Sequence, residues 1–276
     1  MNPKIRVIGA GLAGAEAAIQ AADMGVSVEL YEMKPKKYTP AHHTPGFAEL
    51  VCSKSFRSSQ LSNAVGVLKR ELSMLNSLFM EAAYQTEVPA GCALAVDRER
   101  FSAYITDKIR SHPLITVVEE EVVSIPSDGI NVIATGPLTA DGLASEISSL
   151  LGGRELHFFD AAAPIVDFAT VNTDIAFFAS RYGKGNGDDY LNCPMTREQY
   201  DAFYNELIVA KEAEIKEFDR EEQKKKLQVF EGCMPVEVMA KRGYDTLCYG
   251  PLKPVGLVDP RTNTESFAVV QLRKEN

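Results

Sequence analysis

Residues Lys4–Glu32, KIRVIGAGLAGAEAAIQAADMGVSVELYE, decide the fold. KIRVI is an apolar run with the composition of a buried strand. The Ala-rich stretch after it has helical spacing and closes at Gly25, a residue suited to the left-handed turn that ends a helix. SVELYE then reads as a second strand. Together the three make one βαβ unit. Across the first turn, Gly9, Gly11 and Gly14 stand in the G-x-G-x-x-G spacing, with Ala10, Leu12 and Ala13 between them. Gly9 permits the tight turn, Gly11 lets a pyrophosphate approach the backbone, and Gly14 lets the helix pack on the strand. The helix start adds N–H donors and a positive dipole end. These residues predict a dinucleotide site.

Glu32 ends the second strand, eighteen residues after Gly14, where a carboxylate can accept from a ribose hydroxyl. An acid there favours FAD or NAD over NADP. GINVIATGP, residues 129–137, is a hydrophobic strand ending in Ala-Thr-Gly. It is similar to the strand that returns the chain past the cofactor in two-dinucleotide-fold flavoproteins. That similarity favours FAD and adds Thr135 and Gly136 to the cofactor-binding candidates.

The 276 residues suffice for one large domain or two smaller ones, and the formal charge is −9. An acidic total argues against a dedicated nucleic-acid module, although a local basic face remains compatible with it. No apolar run is long enough to span a bilayer, so no membrane association is expected. The start, MNPKIRVIGAG, runs directly into a strand pattern, with no signal peptide expected. Five scattered cysteines, Cys52, Cys92, Cys193, Cys233 and Cys248, form no CxxC pair. Neither a zinc site nor a secreted disulfide framework is indicated, no metal is expected, and a reducing cytoplasm fits.

Leu61–Ala83 predicts a long helix or helix pair. CALAVDRERFSAYITDKIRSH predicts a short strand, then a helix capped by Asp97 and ended near Pro113. LITVVEEEVVSI and GINVIATG supply further strands. Beyond about Asp160 the character changes, and a second domain or insertion is expected to begin between residues 165 and 190. REQYDAFYNELIVAKEAEIKEFDREEQKKK has a long helical pattern, its charged end most simply a solvated face. SFAVVQLRKEN reads as a final strand without a partner of its own.

In order along the chain, YEMKP, TPAHHT, FAELVCSKS, LAVDRERFS, VIATGPLTADGLA, FDAAAPIVD, ASRYGKG, DDYLNCPMT, FEGCMPVEVMA, GPLKPVGLVDPRT and AVVQLR resemble the FAD- and folate-dependent RNA uracil-5-methyltransferases. The resemblance covers the whole chain. It implies an α/β fold: a Rossmann-like FAD-binding domain of the two-dinucleotide-binding, glutathione-reductase type, with an α+β insertion domain. Residues 1–175 would form the FAD domain and 176–276 the insertion domain with the start of the return. The implied activity is methylation at C5 of the T-arm uridine of tRNA in the cytoplasm. The methylene comes from 5,10-methylenetetrahydrofolate, FADH2 reduces it, and NAD(P)H reduces the flavin. A branch acting on 23S rRNA resembles the chain as well. A plain FAD oxidoreductase or an inactive remnant would explain the glycines but leave two cysteine motifs without use. Family members are longer, so a C-terminally truncated chain, with an incomplete flavin site and uncovered apolar surface, is expected.

The implied chemistry needs a thiolate to add at C6 of uracil and a base to remove the C5 proton. The two cysteine motifs are present as Cys233 and Cys52. Cys233 precedes Pro235, a residue favoured in a first helical turn, where a thiol pKa falls. Cys52 has Lys54 and Arg57 nearby, and cations act in the same sense. Cys233 is taken as the nucleophile and Cys52 as the acid/base or second thiol. Cys92, Cys193 and Cys248 read as core filling. His42 and His43 are candidates for flavin or phosphate contact, Arg98 for cofactor phosphates, and Arg181 and Lys184 for folate or RNA. Lys241, Arg242, Lys253 and Arg261 are the bases placed to meet RNA phosphates.

Overall fold

The structure, a computed structural model, describes residues 4–51, 53–152, 165–210 and 236–274. The chain divides into two compact units, one of Met1–Val88 and Leu94–Asp160, the other of Pro89–Ala93 and Ala161–Asn276.

The first unit opens with β1 (Lys4–Ile8), α1 (Leu12–Asp23) and β2 (Ser27–Glu32), the βαβ unit expected from the sequence. There follow β3 (Ser55–Ser58), α2 (Ala64–Met74), α3 (Leu78–Gln85), β4 (Glu87–Val88) and β5 (Ala93–Val96). Then come α4 (Arg98–Ser111), β6 (Ile115–Glu119), β7 (Ile130–Ile133) and α5 (Asp141–Leu150). The main sheet is parallel, in the order β6-β2-β1-β7. This is a Rossmann-like α/β arrangement, with the carboxyl ends of β1, β2 and β7 side by side. Such sheets bind ligands at that end.

Local sequence explains the elements. α1 buries Gly14, Ala15, Ala18, Ile19 and Ala22, one face of small side chains that lets the helix lie close to the sheet. It ends with Gly25 at φ +85°, and the Val26 N–H reaches back to the Ala21 carbonyl at 3.1 Å. The Asp97 side chain accepts from the Arg100 N–H at 3.0 Å and caps α4, whose last turn carries Lys108 and Arg110. Val7, Ala18, Leu30, Phe101, Ile105 and Ile109 meet in one core. Phe56, Phe79 and Phe101 add a cluster of edge-on and tilted rings. Val123, Ile130, Leu150 and Leu151 are exposed.

The second unit is α+β. It contains β8 (Phe177–Phe178), β9 (Tyr190–Met195), α6 (Arg197–Val209), α7 (Val236–Ala240) and α8 (Thr246–Tyr249). The hairpin β10 (Val258–Asp259) and β11 (Thr264–Glu265) and the last strand β12 (Ala268–Arg273) complete it. Its antiparallel sheet has the order β12-β9-β8. The final strand therefore has a partner, contrary to the expectation from sequence: β12 runs against β9 from Ala268↔Met195 to Arg273↔Tyr190. The pairing joins segments more than seventy residues apart, so no local signal announced it. Tyr200, Leu247 and Ala268 are wholly buried in a second core ringed by Tyr204, Tyr244 and Phe267. Burial of a side chain the size of Tyr200 contributes about 2 kcal/mol.

Candidate dinucleotide site

The carboxyl ends of β1, β2 and β7 open into a cleft of about 320 Å³. Gly9, Ala10, Gly11, Leu12 and Ala13 line it from the β1–α1 turn, Glu32 from the end of β2, and Thr135 and Gly136 from beyond β7. Gly14 stands behind the others: a Cβ there would lie 1.8 Å from the Gly9 carbonyl oxygen. Gly9 has φ +97°, and its Cβ would come within 2.8 Å of the Ala134 carbonyl oxygen. The strand–helix turn and the end of β7 are thus locked backbone to backbone, which only glycine permits. Gly11 is the opposite case, because nothing lies within 4 Å of where its Cβ would be. That space lies on the cleft side of the helix start, and no side chain caps α1. The first-turn N–H groups of α1 have the geometry that can receive a phosphate.

Glu32 has a structural role that the structure shows directly. It is only 8% exposed, its Oε2 accepts from the Ala10 N–H at 2.8 Å, and its Oε1 accepts from the Lys34 N–H at 3.0 Å. The carboxylate therefore fixes the glycine turn as well as offering its remaining lone pairs to a ligand. Thr135 and Thr139 share a hydrogen bond of 2.6 Å, and Thr139 donates to the Gly136 carbonyl at 2.7 Å, so the Ala-Thr-Gly turn is braced. Uncapped amides, the open space at Gly11 and a carboxylate at the strand end fit the adenosine diphosphate half of a dinucleotide.

The wall opposite includes residues that periodicity alone did not single out. Lys34 is buried, donates to the Gly46 carbonyl at 2.5 Å, and pairs with Glu49 at 3.5 Å. Glu49 also accepts the backbone N–H groups of His43 (2.9 Å) and Thr44 (3.2 Å). Burial pushes the Glu49 carboxyl up, but these donors and the charge of Lys34 outweigh it and hold the group below its ordinary value. His42 lines the cleft and shares a 2.6 Å hydrogen bond with the Thr39 hydroxyl. Burial first, and then Lys34, lowers its pKa, so its imidazole is neutral at pH 7. The only sequence signal for Lys34 and Glu49 was their place inside the quoted motifs.

The profile of the family Glucose inhibited division protein A, GIDA, matches residues 4–276. The chain belongs to the GIDA family. This GIDA chain is 60% identical over 276 residues to the "Methylenetetrahydrofolate--tRNA-(uracil-5-)-methyltransferase TrmFO" of Geotalea uraniireducens (strain Rf4), covering 100% of this chain and 62% of that protein. The proteins of the same name from Acetivibrio thermocellus and Desulfitobacterium hafniense (strain Y51) are 58% and 61% identical over 272 residues, each covering 99% of this chain and 61% of the relative. The chain spans about three fifths of the length of the curated relatives it matches.

The remaining candidates of this GIDA chain lie as follows. Cys52 and Cys233 fall outside the described residues. Lys54, close to Cys52 in sequence, is fully buried. Arg98 does not line the cleft, and its Nη1 donates to the Leu50 carbonyl at 3.1 Å. Cys92, Cys193 and Cys248 are free thiols of intermediate exposure, and burial raises the pKa of Cys193 and Cys248. In the second unit, Arg181 donates to the carbonyls of Val255 and Lys253, both at 2.7 Å. Arg261 is held by Asp259 at 2.5 Å. Among the described residues, no group of three or more His, Cys, Asp or Glu converges as a metal site. No helix among them is long and apolar enough to cross a membrane.

Proposed function

We propose that this chain is the FAD-binding and insertion part of an FAD- and folate-dependent tRNA uracil-5-methyltransferase acting on the T-arm uridine in the cytoplasm. The observation that carries this reading is 58–61% identity, over essentially the whole chain, to curated proteins bearing that activity as their name. The dinucleotide cleft supports it independently. We assign the first unit to the FAD domain, expected from the sequence over residues 1–175, and the second unit to the insertion domain with the start of the return, expected over 176–276.

The first-turn amides of α1, beside Gly11, Leu12 and Ala13, would hold the pyrophosphate, with Gly9 and Ala10 shaping the turn and Gly14 closing helix on strand. Glu32 would hold the ribose, and Thr135 and Gly136 would flank the cofactor. When bound, reduced FAD supplies the hydride that completes the methyl group, with NAD(P)H as its reductant. The chain's own part is nucleophilic and proton-transfer chemistry. Carbon 5 of uracil is a poor nucleophile. The Cys233 thiolate adds to C6, which makes C5 nucleophilic toward the methylene of 5,10-methylenetetrahydrofolate. Cys52 then takes the C5 proton, tetrahydrofolate departs as its N5–methylene bond breaks, and once a hydride has reached the resulting exocyclic methylene the Cys233–C6 bond breaks as the C5–C6 double bond re-forms. This assignment of the two thiols rests on the family resemblance and on their sequence surroundings.

The test is a flavin-retention and methyl-transfer experiment on a protein that carries these 276 residues at the full length of the curated relatives. Near-stoichiometric FAD after gel filtration, with labelled methyl appearing in a T-arm hairpin, is the expected result. Cys233→Ala and Cys52→Ala should each abolish transfer while leaving flavin bound. Failure to retain FAD, or transfer to a 23S rRNA fragment in place of the T-arm, would overturn the reading.

A further inference from the structure

The second unit holds a cavity of about 550 Å³ that the dinucleotide site does not explain. Arg181, Tyr182, Arg197, Tyr249 and Lys253 line it, with Asp245 the one acid in the lining. In a chain of formal charge −9, three cations stand against Asp245 in the lining and Glu265, which accepts from the Gly256 N–H at 2.9 Å and acts on Arg181, a local surplus of one positive charge. Two large aromatic side chains stand in solvent at this cavity: Tyr249 is 84% exposed and Tyr182 is 66% exposed. A third ring, Phe267, carries the Arg197 guanidinium 4.4 Å from its centroid.

Tyr182 is held in place at a cost. Its φ is +57°, a left-handed backbone that bulky residues rarely adopt. Its N–H donates to the Gly256 carbonyl at 2.9 Å, and a Cβ at Gly256 would come within 2.8 Å of the tyrosine ring. Next to it, the two Arg181 bonds clamp the 253–255 loop, so Lys253 and Tyr182 are presented from one braced turn. Strain of this kind persists where the surroundings over-determine it, and it concentrates at ligand sites.

We propose that this cavity is a subsite for an unpaired RNA nucleotide, with the base stacked on Tyr249 and Tyr182 and the neighbouring phosphate met by Arg197 and Lys253. The inference rests on the RNA reading above and adds the place of contact. A small-molecule pocket buries the rings of its ligand and is lined by inward aromatics. Here the two tyrosines project into solvent, as they do on surfaces that stack splayed-out bases beside cations.

The experiment is fluorescence anisotropy of a labelled T-arm hairpin with the 276-residue chain, as a function of salt. Tyr249→Ala should weaken binding roughly 5- to 100-fold, the usual effect of removing one stacking ring, and Tyr249→Phe should restore it. Lys253→Ala should lower the salt slope by about 0.7, the value for one phosphate contact on a single strand. Thermal melts of each variant establish that the fold is kept. If the unsubstituted chain binds the hairpin and Tyr249→Ala and Lys253→Ala bind it as tightly, the subsite is wrong while the RNA reading stands. If the unsubstituted chain binds no hairpin, the RNA reading falls and the subsite with it. Tetrahydrofolate binding that Tyr249→Ala removes, with hairpin binding kept, would assign the cavity to folate and overturn the proposal.

Discussion

Gly11 and Gly14 are three residues apart and answer to different masters. A methyl group at Gly14 would sit 1.8 Å from a backbone oxygen, so Gly14→Ala is expected to cost about 3 kcal/mol or more, read as a lowered Tm. A methyl group at Gly11 meets no protein atom within 4 Å. Gly11→Ala should therefore cost only the weaker N-cap, about 0.5–1 kcal/mol, yet abolish FAD retention by filling the space the pyrophosphate needs. Glycine spacing made both positions legible in the sequence, and only the coordinates divide them into fold and ligand roles. His42 gives a pH test. Its folded pKa is lowered, whereas the unfolded chain takes up a proton near pH 6.5. Stability is therefore full above that value and falls as pH drops from it toward the folded pKa. Chemical denaturation between about pH 6.5 and 5 should show this slope in the native chain and a flatter one in His42→Asn. Lys34 and Glu49 were not legible as a pair, because they meet through a folded loop that no spacing rule describes.

Helix α6 shows what an element owes to its first residue. The Thr196 side chain accepts from the Gln199 N–H at 3.3 Å, and the Gln199 side chain accepts from the Thr196 N–H at 2.9 Å, a reciprocal cap. Thr196→Ala is expected to cost about 1 kcal/mol, measurable by urea denaturation. The caps of α4 and α6 and the end of α1 are all written locally, which is why these helices were read from the sequence; α5 and α8 were not, and the helical pattern beyond residue 210 lies outside the described residues. Strand partnership was not written locally. The alternation in AVVQLR announced a strand, but the choice of β9 as its neighbour depends on a core built from Tyr200, Leu247 and Ala268. Those residues come together only once α6, α7 and α8 are in place.

At the scale of the whole molecule, the two units have separate cores, one around Phe101 and Leu30 and the other around Tyr200 and Leu247. A ligand that binds one native unit stabilises that unit by mass action. Added FAD should raise the melting temperature of the first unit alone, and calorimetry should show one transition moving while the other stays. A single transition moving as a block would contradict this. The fold class was legible because the βαβ opening forms the two inner strands of the parallel sheet and the Ala-Thr-Gly strand pairs directly with β1. The change of character near residue 160 was legible too, but a much smaller excursion was not. Pro89–Ala93 belongs to the second unit although the residues on either side of it belong to the first. There the Ala90 carbonyl takes the Tyr190 hydroxyl at 2.8 Å, and the Gly91 N–H is taken by Asp189 at 2.8 Å. The polypeptide thus passes between units three times, at 88/89, 93/94 and 160/161. Scissors applied once near residue 160 would leave the downstream piece without a five-residue stitch and the upstream piece with a dangling one. Excising either half as an independent gene product would need that stitch to be rewoven by hand.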